Sequence, residues 1–346
     1  MVHDPAGEGW LHGPRGRRAI ASLLASAEPA LWTLQWHAAQ APRDSGMTEE
    51  FAQSIVEFAD ANPNDFNDEA VRECLFDATS SAMYWQPPDE VDLLLASPAI
   101  VAALTPVARR VAASPASAWW RSPVDLDNQH YVQWTGDPTI DPPLLSGAAD
   151  RVAAWKAKSL ASERNAAAMS AELSSRWTGA WWSTPAHANL VTTTCGLPEL
   201  GAANLAFIED TLGWTTATVW PLRPGSGCRV YEITGPDAWT ALVGRYPLDV
   251  TRSRRPDWFH TTGHDGPWWI PDWSAVAGDF DAVHLTVSGY LSTAGRALPA
   301  GGAHTVFAGW GPDETWWLGD VLELAGDPVD WRRDYASPSN TAWQRA

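Results

Sequence analysis

His260 and His264 stand four residues apart, and Asp265 follows directly. Nitrogen and oxygen donors of this kind suit zinc or iron(II), with Asp272 or His284 as further ligands if folding brings them in. An H-x-x-x-H pair converges on a metal only from one face of a helix, and Thr261-Thr262-Gly263 between them reads as loop. The expectation is therefore a polar loop whose histidines and Asp265 bond or move protons, with no metal and no other cofactor.

General acid and base chemistry has a second source in Asp89 and Glu90, which follow Tyr84, Trp85 and two prolines in the run Y-W-Q-P-P-D-E. A carboxylate held against indole in a water-poor cleft gains proton affinity and can act near neutral pH. Glu209 and Asp210, before Trp214, form a similar pair. Both pairs fit surface turns and helix caps equally well. A third chemistry, ADP-ribosyl transfer from NAD, places an arginine on a first strand, a Ser/Thr strand in the middle and a glutamate on a later strand. Arg229, Thr261-Thr262 and Glu314 occur in that order, without the E-x-E or Q-x-E that would sharpen the match. No phosphate loop, dinucleotide fingerprint, nucleophile elbow or C-x-x-C is present.

Three kinds of element must position these groups. Residues 1–115 read as a helical lobe, with Pro29 dividing two helices between 15 and 41. Further helix starts fall at Thr48, at Asn67 and at Ser97-Pro98. Residues 116–215 form a mixed connecting region with a long helix (148–173) and a hairpin around Thr211-Leu212-Gly213-Trp214. Within it A-W-W-R-S-P (118–123) recurs as A-W-W-S-T-P (180–185), each before a strand. Residues 216–346 read as an α+β domain. There 260–267 is a loop, 271–277 a short helix opened by Pro271-Asp272, and 281–288 a strand with one face buried. A second hairpin turns at Gly311-Pro312-Asp313. The fold class is α+β, a helical N-terminal lobe followed by a mostly antiparallel-sheet lobe.

The segments S-S-A-M-Y-W-Q-P-P-D-E (80–90), G-A-W-W-S-T-P (179–185), F-I-E-D-T-L-G-W (207–214), R-V-Y-E-I (229–233), I-P-D-W-S-A-V-A (270–277) and V-H-L-T-V-S-G-Y-L (283–291) resemble a family of tryptophan-rich actinomycete proteins. The resemblance implies a bacterial cytosolic protein linked to specialised metabolism, and brings no activity, cofactor or site residue with it.

Composition narrows the partners. A net charge of −18 repels phosphate backbones and disfavours nucleic acid. No apolar run is long enough for a membrane span or a secretory signal, which makes the cytoplasm the expected compartment. Three widely spaced cysteines form neither a disulfide framework nor a metal knuckle. Tryptophan is in excess at 23 residues, enough to pack a core and still wall a cleft. These features lead to the expectation of a small-molecule-binding protein, an enzyme or a binder, acting on an aromatic or cationic substrate in a cleft lined by tryptophan and carboxylates. The turn at 84–90 would face the 258–291 stretch across it, with Tyr84, Trp85, Trp269, Tyr290 and Arg229 around the ligand. The rival expectation is a protein-interaction module, of an immunity or regulatory kind, that uses exposed tryptophans as anchors. Prolines and small polar residues between 137 and 146 make that segment the expected site of limited proteolysis; cutting spread evenly through the N-terminal helices would contradict the division at residue 115.

Overall fold

Prolines and capping side chains start most of the helices. The computed structural model describes residues 7–62, 66–83, 86–135, 142–167, 178–198, 200–209, 213–337 and 339–346. Helix α1 (Pro14–Ala27) ends at Glu28, and α2 (Pro29–Gln40) begins on the proline. Next come α3 (Met47–Ala61) and α4 (Asp68–Ser80), the latter capped by Asn67, whose side chain accepts the Ala70 N–H at 2.7 Å. In the same way Asp89 caps α5 (Glu90–Leu95) by accepting the Asp92 N–H at 2.7 Å. Helix α6 (Pro98–Ala113) completes a bundle in which Ile20, Ile55, Leu75, Leu104 and Val107 are buried.

The remaining elements are β1 (Gln129–Trp134), α7 (Ala148–Ala167), β2 (Thr192–Leu197), β3 (Gly201–Ala202), β4 (Thr216–Pro224), β5 (Val230–Ile233), α8 (Pro236–Arg245), β6 (Pro247–Asp249), α9 (Thr251–Thr262), β7 (Trp269–Pro271), α10 (Trp273–Asp279), β8 (Ala282–Leu285), α11 (Val287–Thr293), β9 (Ala297–Ala300), β10 (Ala303–Val306), β11 (Thr315–Trp317), β12 (Leu322–Leu324), β13 (Val329–Arg333) and β14 (Trp343–Arg345). The main sheet runs β14-β13-β4-β1-β2-β11-β8-β5, with β12 on β4 and β3 on β2. Every pairing in it is antiparallel except β5 with β8. The protein is α+β, helical first and sheet-rich after. Among the described residues no helix is long and apolar enough to cross a membrane.

Four local expectations are corrected. His260 to Thr262 close α9 instead of opening a loop, and Gly263 follows as its left-handed C-terminal cap at φ 70°. Strand β8 stops at Leu285 and is buried on both faces, because Thr286 caps α11 by accepting the Gly289 N–H at 2.9 Å. The expected hairpin partner at 205–208 does not pair with β4, which pairs with β1, β12 and β13; Thr211 and Leu212 of the expected turn lie outside the described residues. Nor does a hairpin form about Pro312, where β11 pairs with β2 and β8 while β10 pairs with β9.

One contiguous core contains Trp10 and Ile20 of the helical segment, Trp155 of α7 and Trp239, Trp273 and Trp310 of the sheet half. Most of the tryptophan excess is spent here. Trp258 packs edge-on to Trp268 at 5.2 Å and donates its N–H to the Trp181 carbonyl at 2.8 Å, while Trp273 donates to the Ser183 carbonyl at 3.1 Å.

At the β5 end of the main sheet, register aligns Glu232, His284 and Thr315 on three neighbouring strands. His284 Nδ1 lies 2.6 Å from Glu232 and Nε2 lies 3.5 Å from Asp313. Burial opposes the imidazolium, yet hydrogen bonds to Asp313 and Glu232 and their charges outweigh it and push the pKa up from 6.5 to about 9. Just before β11, Glu314 is half-buried, and loss of water around its carboxyl pushes it up from 4.5 to about 7. Both groups hold protons in the fold that the unfolded chain releases earlier. Their stabilisation is present in acid and fades with rising pH, through about 7 for Glu314 and about 9 for His284. Denaturant titration should therefore show a loss on the order of 3 kcal/mol between about pH 6 and pH 9, with Glu314→Gln flattening the lower part of that fall. Stability constant or rising over that window would contradict the protonated assignment.

Candidate functional site

Four arginines carried by α1 and by the start of β9 create a problem that the fold must solve, since a guanidinium leaves water only if it finds acceptors. Arg15 is buried and donates to the Ala78 carbonyl and Ser81 hydroxyl at 3.1 Å and to Asp92 at 3.2 Å. Arg18 Nε donates to the same Asp92 carboxylate at 2.8 Å, and its Nη2 donates to both oxygens of Asp89. Asp89 thus caps α5 and binds Arg18, and Asp92 bridges two arginines from the first turn of that helix. The three short links fix the 86–89 turn against α1.

Beside this network lies a cleft of about 380 Å³. One wall is helical, with His12 just before α1, Pro14, Arg15 and Arg17 from its start and Gln86, Pro87, Pro88 and Asp89 from the turn. The opposite wall is Thr261 and Thr262 from the end of α9 and Gly295, Arg296 and Ala297 leading into β9. One close approach and one turn bring the walls together. A side-chain carbon on Gly13 would meet the Leu291 carbonyl at 2.3 Å, so only glycine lets α1 seat on α11. Gly295 takes φ 74°, which turns the chain after α11 and delivers Arg296 to the cleft.

Arg17 and Arg296 differ from their neighbours. Arg17 Nη1 donates to the Leu11 and His12 carbonyls at 2.9 and 3.2 Å, and its Nε is buried without an acceptor. Arg296 Nη1 donates to the Ser292 carbonyl at 2.7 Å. Burial pushes the Arg17 guanidinium below its ordinary value; Asp92 supports its charge, whereas Arg15 and Arg296 oppose it. Burial lowers Arg296 as well.

The sequence-derived candidates separate on this frame. Asp89 lines the cleft, and so do Gln86 to Pro88 of its turn and Thr261 and Thr262 of the later stretch. Tyr84 and Trp85, with Asp210, lie outside the described residues. Glu90 points to a different, exposed hollow beside α2 and α3. His260 lies in the last turn of α9 against Phe259, and the His264 ring packs tilted against that of His304 at 3.8 Å. Asp265 is bound by Arg255 through two hydrogen bonds at 2.6 and 2.8 Å on the surface, with Arg255 holding its carboxyl below the ordinary range. Trp269 packs on the Gly301 turn. Tyr290 is buried in α11, and Arg229 pairs with Asp281 at 3.0 Å on the surface. None of these last six lines the cleft.

The ADP-ribosyl arrangement does not assemble. Arg229 precedes β5 at the end aligned through Ala282 with Trp317, whereas Glu314 lies at the other end, where its carbonyl accepts the Leu285 N–H at 3.0 Å. Thr261 and Thr262 are helical. Among the described residues no three histidine, cysteine, aspartate or glutamate side chains gather as a metal site. The thiols are not poised as nucleophiles: burial, then Asp313, pushes Cys195 well above its ordinary value, and burial with Asp281 pushes Cys228 up to about 11.

Sequence reasoning missed Arg15, Arg17, Arg18, Asp92 and Arg296. The signal was the run P-R-G-R-R at 14–18, a basic cluster in a chain with 41 acidic and 23 basic residues.

Because Asp92 compensates two guanidiniums and is itself 13% exposed, Asp92→Asn should cost about 3 kcal/mol in urea unfolding. Asp265→Asn, which frees a surface pair 34% and 45% exposed, should cost under about 1 kcal/mol. Equal costs would remove Asp92 as the organiser of the cleft wall.

Comparison with models of known protein families, with curated proteins and with solved structures finds no match to this chain.

Proposed function

We propose that this protein binds a small molecule in the cleft between its helical segment and the α9–β9 face. The observation that carries the reading is the cleft's construction: about 380 Å³ of concave space walled by residues from His12 to Ala297, with guanidinium, amide and hydroxyl groups converging on it. That volume suits a metabolite, and convergence of distant segments gives a ligand leverage over how the two faces pack. The described lining offers Asp89 and Asp92 already bound by arginine, two threonines and the exposed His12. These groups orient a ligand; they do not form a nucleophile and base pair. The proposal departs from a cationic, tryptophan-walled site, because the described lining contains no tryptophan and more arginine than carboxylate.

A second reading, an interaction module, is favoured by Trp32 and Trp36, which sit one turn apart on α2 and are 58% and 52% exposed. The two readings part on where a small ligand acts.

Thermal denaturation against a metabolite library tests the first. A ligand at about a hundredfold its Kd adds about 2.7 kcal/mol, a shift of several degrees. Ala96→Trp and Ala297→Trp, which fill the cleft from opposite walls, should abolish the shift, and Trp32→Ser with Trp36→Ser should leave it intact. Shifts that survive both cleft substitutions would place the ligand elsewhere and end the proposal.

A further inference from the structure

Among the described residues, Arg17 and Arg296 line the cleft with no carboxylate of their own. Arg15 and Arg18 are matched by Asp92 and Asp89, which exhausts the acids of the described cleft lining. Asp92 lies near enough to Arg17 to favour its charge, but its oxygens are taken by Arg15 and Arg18. What remains is a pair of like charges, each half-buried and each bonded only to backbone carbonyls. Two guanidiniums that line one cleft, the Arg296 charge opposing that of Arg17, are an electrostatic cost that an oxyanion between them reverses, because both can donate charge-assisted hydrogen bonds to it. The setting sharpens the point. In a chain of net charge −18 any cation has plentiful acidic surface to sit on, whereas a converging arginine pair in a cleft is a local reversal of sign.

We infer that the cleft ligand is a small oxyanion, a carboxylate or phosphoryl compound, gripped between Arg17 and Arg296. This rests on the cleft reading above and names the chemical class the cleft accepts. Arg17 offers Nη2, which its bonds to the Leu11 and His12 carbonyls, both made by Nη1, leave unused. Arg296 offers the guanidinium nitrogens that Ser292 does not use, from a position set by the turn at Gly295. Thr261 and Thr262 are committed through their hydroxyls to the Asp257 and Trp258 carbonyls at 3.0 and 2.6 Å, so the specificity for charge falls on the two arginines. Pro87 and Pro88 supply an apolar edge for the rest of the molecule. No bond is made or broken in this step. It is recognition by charge and shape.

The experiment is isothermal titration of the full chain with inorganic phosphate, with citrate and, as the opposite charge, with tetramethylammonium. Phosphate or citrate should bind at one site, and the two together report whether the phosphoryl or the carboxylate form fits better. Arg17→Gln and Arg296→Gln should each weaken that binding roughly tenfold or more, the loss of one charge-assisted contact. Arg296→Lys keeps the charge without the fork and should weaken it less than the glutamine variant. Arg109→Gln, outside the cleft, should leave it unchanged, and circular dichroism of every variant separates lost binding from lost folding. Anion binding that persists in folded Arg17→Gln and Arg296→Gln proteins would overturn the inference. So would tetramethylammonium binding that Ala96→Trp removes while phosphate and citrate give no heat, an outcome that keeps the cleft reading and rejects only its charge. Anion binding indifferent to Ala96→Trp but sensitive to distant arginines would reject both.

Discussion

The Asp92 carboxylate is the interaction on which the rest of the site depends. Arg15 is buried on the face of α1 that packs against α4, and a buried guanidinium without a partner would cost more than the apolar contacts around it return. Asp92 meets that demand and serves Arg18 as well. In doing so it fixes α5, whose N-terminus Asp89 caps, and so fixes the proline turn that forms one wall of the cleft. The opposite wall is held by contacts with no tolerance for extra atoms, at Gly13 against Leu291 and at Gly289, where a side-chain carbon would lie 2.3 Å from the Ile233 carbonyl. The cleft is therefore the gap left between two faces that are each determined by other forces.

The tryptophans play a different part from the one their number suggests. Trp239, Trp258, Trp268, Trp273 and Trp310 are buried, and their rings meet in tilted or edge-on contacts that join α8 to α10, α9 to the segment before β7, and α10 through Trp310 to Trp316 of β11. A protein with so few charged residues and so many short elements gains a large buried area per residue from indole, and that serves cohesion first. The polar row through Glu232, His284 and Asp313 does comparable work within the sheet, by pairing a buried imidazolium on both sides.

The helical lobe was legible because its signals are local. Pro14, Pro29 and Pro98 open helices, and Asn67 and Asp89 cap them. The sheet was legible in class and not in pairing, since β11 is chosen by β2 and β8 from far along the chain, over the turn beside it. Thr261-Thr262-Gly263 looked like a break because β-branched residues and glycine weaken helices. In the fold both hydroxyls bond back to helix carbonyls, Trp258 anchors the helix in the core, and the glycine marks its end. Half of the site was visible, in the proline turn with Asp89. The other half, Arg17 and Arg296, lies 279 positions apart in numbering (296 − 17), and nothing in one sequence announces that two such residues will meet without a counter-ion.

The claim that an unmatched arginine pair defines the ligand is tested most directly by following the side-chain Nε–Hε signals of the arginines by NMR during a citrate titration. The account predicts that the Arg17 and Arg296 signals move together and saturate with one shared Kd, while those of Arg109 and Arg223 stay in place. Small, unsaturating shifts spread evenly over all the arginines would mean that citrate meets only general positive charge, and would contradict it.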